Sequence, residues 1–267
     1  MSRQNSAANP RWPQLILNRQ TAMSNKVFLA GAAGAIGTAL VPMLIDAGFS
    51  VYGSTRSTAR AKKLEEVGVI PVLIDVFNAD ELAREFARIK PESVIHQLTD
   101  LPRGLDPSQM PQAIVNNARI RNEGTRNLVA AATAAGSRRL VAQSIAWAYK
   151  PGATPYLESS PLDIDAVAPR STTVQGVVAL ENYVLAASSL VGTVLRYGHI
   201  YGPGAGAEQP SGASPIHVQA AAVAALLALQ RSNGGVYNIA QDDAQVSSEK
   251  AKRELGWSPS MRLVDRR

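Results

Sequence analysis

Three glycines spaced two residues apart dominate what this chain can become. Gly31-Ala32-Ala33-Gly34-Ala35-Ile36-Gly37 follows the apolar run Val27-Phe28-Leu29-Ala30 directly and opens a helical pattern. Between a short strand and a helix, such spacing describes a loop that cradles the phosphates of a dinucleotide. Gly31 makes the tight turn, Gly34 lets backbone approach a pyrophosphate, and Gly37 lets the helix pack on the strand. The helix start then offers free N–H groups and the positive end of its dipole. Gly31, Ala33, Gly34, Ala35, Ile36 and Gly37 are therefore candidate cofactor-binding residues.

The 267 residues suffice for one large α/β domain or a domain with a small appendage. The longest apolar run, Ala220 to Leu229, is far short of the ~18 residues of a membrane span. It reads as a buried helix, and a cytoplasmic protein is expected. Without cysteine there is no disulfide, thiolate nucleophile or cysteine metal site, and no His/Asp/Glu cluster has metal-ligand spacing. The net charge of +6 includes Arg3, Arg11 and Arg19 in an acid-free leader. No basic stripe is interleaved with aromatics, which argues against nucleic acid. Met1 to Ala22, broken by Pro10 and Pro13, is expected to be a disordered arm (residues 1–22), with Met23 as the start of the fold.

From Lys26 the pattern alternates. Strands are expected at Val27–Ala30, Ser50–Gly53, Ile70–Ile74, Ser93–His96, Arg139–Gln143 and Gly192–Leu195. Helices are expected at Ile36–Ala47, Thr58–Val67, Ala79–Ile89, Pro111–Ala135 and Thr172–Ser189. Regular βα alternation means right-handed crossovers and a doubly wound parallel α/β sheet covered on both faces. Residues 23–195 form this dinucleotide-binding domain. Residues 196–267 are less regular and are expected to form a small, reduced C-terminal cap on the substrate side. Within it a helix is expected near Pro215–Gln230, a strand at Val236–Ile239 and a helix near Ser248–Leu255.

Several further segments occur in a telling order: Leu73-Ile74-Asp75-Val76, Val94-Ile95-His96-Gln97-Leu98, Glu123-Gly124-Thr125-Arg126-Asn127-Leu128 and Leu140-Val141-Ala142-Gln143-Ser144. Leu195-Arg196-Tyr197-Gly198-His199-Ile200-Tyr201-Gly202-Pro203, Tyr237-Asn238-Ile239 and Glu254-Leu255-Gly256-Trp257-Ser258-Pro259 complete the series. With the glycine loop, these resemble the extended short-chain dehydrogenase/reductase family, which includes NAD-dependent epimerases and dehydratases. The resemblance runs from about Lys26 to Pro259. It implies a Rossmann-type domain binding NAD(H) or NADP(H), a C-terminal region holding a small-molecule substrate, and a homodimer through the two long helices. It also implies that Asp75 and Val76 border the adenine, and that Gln97, Leu98 and Thr99 line the path to the nicotinamide ribose.

The end of the second strand speaks to the cofactor. An acid there would accept from the adenosine ribose, whereas a cation would neutralise a 2′-phosphate. Tyr52-Gly53-Ser54-Thr55-Arg56 has no acid, and Arg56 suits a bidentate phosphate contact, so NADP(H) is expected over NAD(H).

The family's chemistry uses a Ser or Thr after the fifth strand and a Tyr-x-x-x-Lys on the next long helix. The phenol moves a proton, and the lysine lowers its pKa and holds the ribose. Ser144 matches the first role and is expected to orient the substrate oxygen. If Glu181 is the family's glutamate after the dyad, Thr173 stands at the tyrosine position and Val177 at the lysine position. Neither can do that work. A further departure is Arg121, three residues before Gly124-Thr125, where many relatives carry Asn.

Two readings follow. Proton transfer passes to another group, the candidates being Tyr149, Tyr156, His199 and Tyr201, of which His199 has the most suitable unperturbed pKa. Alternatively the protein binds dinucleotide without turning it over. The expected function is an NAD(P)-dependent oxidoreductase acting on a hydroxyl or carbonyl of a small organic substrate. A regulatory NADP-binding protein is the alternative. A sugar-nucleotide epimerase or dehydratase ranks third, because the segment after Gly206 is short for a substrate loop.

Overall fold

The computed structural model describes residues 25–263, so the leader and its expected disorder lie outside the described residues. Seven strands form one sheet, all pairs parallel. They are β1 (Lys26–Ala30), β2 (Ser50–Thr55), β3 (Ile70–Leu73), β4 (Ser93–His96), β5 (Arg139–Ile145), β6 (Val191–Tyr197) and β9 (Gly235–Ile239). Their spatial order is β3-β2-β1-β4-β5-β6-β9, and the winding reverses between β1 and β4. Ligands of open α/β sheets bind outside the strand ends at such a reversal. A short parallel pair, β7 (Ile200–Tyr201) with β8 (Ile216–His217), stands apart from the sheet.

The alternation of side chains along β1 explains the two-sided core. Val27 and Leu29 point into one hydrophobic cluster with α1 (Ala35–Asp46) and α7 (Val218–Arg231). Phe28 and Ala30 point into the other, with α3 (Ala79–Ile89), α5 (Thr125–Ala134) and α6 (Arg170–Ala186). Period-two alternation with both faces apolar is what a parallel sheet requires. Helix α2 (Thr58–Glu66) completes the β2–β3 crossover, and Ser57 caps it by accepting from the Arg60 N–H.

The run Ala220–Leu229 is buried throughout, as its composition demands, because α7 is enclosed by α1, β5, β6 and α8 (Glu249–Leu255). Within residues 196–267, β9 is the seventh strand of the main sheet, and α7 packs on α1, β5 and β6. The apolar alternation of Val236-Tyr237-Asn238-Ile239 pairs with β6, residue Leu195 opposite Tyr237.

The expected helix Pro111–Ala135 is continuous but not uniform. α4 (Met110–Arg119) runs into one π-helical turn, Ile120–Gly124, and then into α5. Close packing of Gly124 on Val76, where an added Cβ would stand 2.9 Å from Val76 Cγ2, accompanies the irregular turn. No helix among the described residues is long and apolar enough to cross a membrane.

Candidate functional site: a dinucleotide cleft with a blocked dyad

The glycine loop sits at the β1/β4 reversal. Gly31 has φ +90°, and a Cβ there would lie 2.6 Å from the Gln97 carbonyl oxygen. At Gly37 a Cβ would lie 2.2 Å from the Gly31 carbonyl oxygen, so only glycine lets α1 start this close to the loop. Gly34 caps α1 in an extended conformation with no side-chain bond. The first-turn N–H groups of a 12-residue helix are thus left to an outside acceptor, and Ala33 and Gly34 are exposed beside them. A dinucleotide pyrophosphate fits this cradle. Ala35 is half-buried and Ile36 buried under the loop.

The other residues expected to meet the cofactor lie at or beyond the strand ends around the loop. Arg56 is exposed at the end of β2. Asp75 and Val76 follow β3, with Asp75 Oδ1 accepting from the Phe77 N–H at 3.0 Å and the Val76 carbonyl accepting from Asn127 at 3.0 Å. Phe77 was not singled out by sequence. Its ring lies 3.8 Å beneath the Arg119 guanidinium and forms a wall beside Asp75. Beyond β4, Leu98 is half-buried and Thr99 exposed, whereas the Gln97 side chain is buried against Tyr197.

His96 ends β4 as a buried, fully bonded imidazole. Its Nδ1 accepts the Leu98 N–H at 3.3 Å, so Nε2 carries the proton and faces Thr125 Oγ1 at 3.0 Å. Burial pulls its pKa down to about 4, with nearby Arg121 adding to the shift, and the ring is neutral at pH 7.

The residues expected to carry proton chemistry divide. Ser144 is 1% exposed, and its hydroxyl donates to Glu181 Oε1 at 2.8 Å. Glu181 is also clamped by Arg196, through Nε to Oε1 at 2.9 Å and Nη2 to Oε2 at 2.6 Å. Arg196 in turn donates from Nη1 to the Tyr149 hydroxyl, which itself donates to Asn238 Oδ1 at 2.6 Å. The pairing of Ser144 with Arg196 across β5 and β6 points both toward α6 and makes the cluster. Ser144 and Tyr149 are thus brought together, but inside the protein. Burial also raises the Tyr149 phenol above its ordinary range, which makes it a poorer acid. Tyr156 stacks on Tyr149 at 5.0 Å, and Tyr201 accepts from Gln241 at 2.6 Å.

His199 is placed differently. It is half-buried after β6, and its Nδ1 donates to the Ala213 carbonyl at 2.8 Å, which leaves Nε2 as an acceptor. Trp147, three residues beyond Ser144 and 37% exposed, stacks on it at 5.8 Å with planes 16° apart. Trp147 was not singled out by sequence, because its exposure and its stacking on His199 arise only once the segments after β5 and β6 are brought together. His217 caps α7 by accepting the Gln219 N–H. At the dyad positions, Thr173 is 7% exposed, and Val177 is 0% exposed in a small apolar cluster with Ile145, Ala148 and Val174.

Comparison with known proteins agrees with this fold. Residues 27–230 match the NAD dependent epimerase/dehydratase family. A curated relative, the 3-diazoavenalumate denitrifying reductase of a Streptomyces species, is 38% identical over 262 residues, covering 89% of this chain and 84% of the relative. Among solved structures, UDP-glucose 4-epimerase of Thermotoga maritima with UDP-glucose superposes with a TM-score of 0.72 at 19% identity, covering 89% of this chain and 94% of that one. WbmG of Bordetella bronchiseptica, in complex with NAD and UDP, gives 0.71 at 19% identity over 93% and 92% of the two chains. At those identities the structures speak for the fold. The family match and the curated relative carry the rest: the chain belongs to the NAD-dependent epimerase/dehydratase family and is an NAD(P)-dependent oxidoreductase of the extended short-chain dehydrogenase/reductase type.

Proposed function

We propose that this protein is an NADPH-dependent reductase whose hydride acceptor is a small, electron-poor aromatic compound of the diazo class, reduced without a protein proton donor. The observation that carries this is the state of the dyad positions. Thr173 and Val177 are buried, and Val177 is packed among aliphatic side chains, so no phenol–ammonium pair is available there. When bound, the dihydronicotinamide supplies a hydride. A carbonyl must gain a proton as well, and the family's dyad exists to deliver it. An aryl diazonium cation needs none: cation plus hydride gives arene and dinitrogen, with charge and atoms balanced. The 38% identical relative, by its name, is a reductase that denitrifies a diazo compound, which supports the same reading here.

Within this reading the chain's residues bind and orient. The glycine loop and α1 hold the pyrophosphate, and Arg56 holds the 2′-phosphate that distinguishes NADPH. Trp147 and His199 offer a flat wall beside the strand ends, suited to an aromatic ring. Ser144, Glu181, Arg196 and Tyr149 act as a buried buttress under β5 and β6. Val115 on α4 and Leu185 on α6 are 55% and 44% exposed, which supports pairing of two copies through these helices.

The test is a matched pair of substrates, an aryl diazonium salt and the aldehyde of the same ring, followed by NADPH absorbance against the uncatalysed rate. Enzymatic consumption with the diazonium alone is expected. Preferential reduction of the aldehyde overturns the acceptor class, and tight NADPH binding without turnover of either moves the protein to a binding role.

A further inference from the structure

Among the described residues, Arg121 is a cation without a counterion. It lies in the π-helical turn Ile120–Gly124 that joins α4 to α5, and π turns recur at functional sites because the extra residue re-aims side chains. Its guanidinium is half-buried and acts electrostatically on His96 at the end of β4. Burial draws its own pKa down to about 10, with no opposing partner to hold it up. Among the described residues it has no hydrogen bond and no ion pair. Asp100 accepts from Asn116, Glu123 pairs with Arg119 on the same helix, and Glu181 is clamped by Arg196 and Ser144.

Helix packing explains where this charge stands. α4 and α6 run side by side so closely that a Cβ on Gly176 would come within 3.0 Å of the Ala118 Cα. Tyr183 on α6 donates to Asn122 at 3.3 Å and fixes the alignment farther along. Arg121 is one turn past Ala118, and Val177 is the residue after Gly176. The helix that carries Val177, where the family's ammonium is missing, therefore adjoins the helical run that carries Arg121.

We propose that Arg121 is the cofactor's cation at the nicotinamide end, donating hydrogen bonds to the nicotinamide ribose hydroxyls in place of the absent lysine. Even half-buried, a guanidinium left unpaired carries a cost, and a ligand that accepts from it recovers part of that cost on binding. The transposition from α6 to α4 also removes the charge that would depress a neighbouring phenol's pKa, in keeping with a site that holds ribose but relays no proton. The proposal rests on the dinucleotide reading above and commits one residue to it.

Calorimetry on the full chain separates the two. NADPH is titrated into wild type, Arg121→Met and Arg121→Lys, and 2′,5′-ADP, which lacks the nicotinamide ribose, is titrated into the same three. Expected is a loss of at least about tenfold in NADPH affinity for Arg121→Met, most of it restored in Arg121→Lys, with 2′,5′-ADP affinity unchanged. NADPH binding to Arg121→Met as tightly as to wild type overturns the proposal and leaves the dinucleotide reading intact. An equal loss for both ligands overturns it as well, since that marks a structural role. So does a rise confined to the KM of the organic substrate, which gives Arg121 to a substrate carboxylate. Should wild type itself bind no NADPH, both readings fall. If Arg121→Met does not fold, the comparison of Arg121→Lys with Arg121→Gln decides in the same way.

Discussion

Arg196 grips Glu181 with two prongs, Nη2 to Oε2 at 2.6 Å and Nε to Oε1 at 2.9 Å, and both side chains are only 6% exposed. The pair joins β6 to α6, and the Ser144 hydroxyl fills a further lone pair of Glu181. Breaking such a pair strands a buried charge. Glu181→Ala should lower stability by about 3–5 kcal/mol, whereas Glu181→Ala with Arg196→Met should lose much less, because no ion is left alone. Denaturant unfolding of the single and double variants measures the difference.

Ser144 then has a test that separates framework from catalysis. If its hydroxyl serves Glu181, Ser144→Ala should cost about 1–2 kcal/mol of stability while kcat stays within a few-fold of wild type. Loss of turnover at unchanged stability would return Ser144 to the reacting centre.

The fold was legible because its signals are local. Strand, glycine loop and helix lie next to one another in sequence, and the apolar runs of β1, β4, β5 and β6 need only be read along the chain. How the residues after 195 meet the main sheet was not legible. Whether Val236–Ile239 joins the main sheet depends on its pairing with β6, a relation between distant segments that composition does not carry. The same limit governed the site. Arg56 stood out at the end of an expected strand, whereas Asp75 and Thr99 were singled out only through the family resemblance. The direction in which Ser144 points depended on register, and its bond to Glu181 joins residues 37 apart. Arg121 was visible as a departure from the family pattern. That it has no partner among the described residues was not.

Gly37 provides a test of the loop. A methyl group would overlap the Gly31 carbonyl, so Gly37→Ala should force the loop and α1 apart, lowering stability by about 1–3 kcal/mol and abolishing dinucleotide binding. Thermal unfolding with and without NADPH reads both effects.

Arg56 should decide between the two dinucleotides. Arg56→Ala removes a charge-assisted contact to the 2′-phosphate and should weaken NADPH at least about tenfold while leaving NADH nearly unchanged. Equal losses in parallel titrations would remove that role.

His96 makes stability depend on pH. Its pKa is about 4 when folded and 6.5 ordinarily, so below pH 6.5 the unfolded chain takes a proton that the native imidazole refuses. Stability is full above 6.5 and falls as pH drops toward 4, by about 3 kcal/mol in all from this group. His96→Asn should flatten that part of the curve, measured by urea unfolding against pH in both proteins.

The central claim is hydride delivery to an acceptor that needs no proton, and product stoichiometry tests it most directly. An aryl diazonium salt is incubated with enzyme and NADPH, and arene, dinitrogen and NADP are quantified together above the uncatalysed background. One arene and one dinitrogen per NADPH consumed is the predicted result. NADPH consumed with nitrogen retained in the product, or turnover confined to carbonyl substrates, would contradict it.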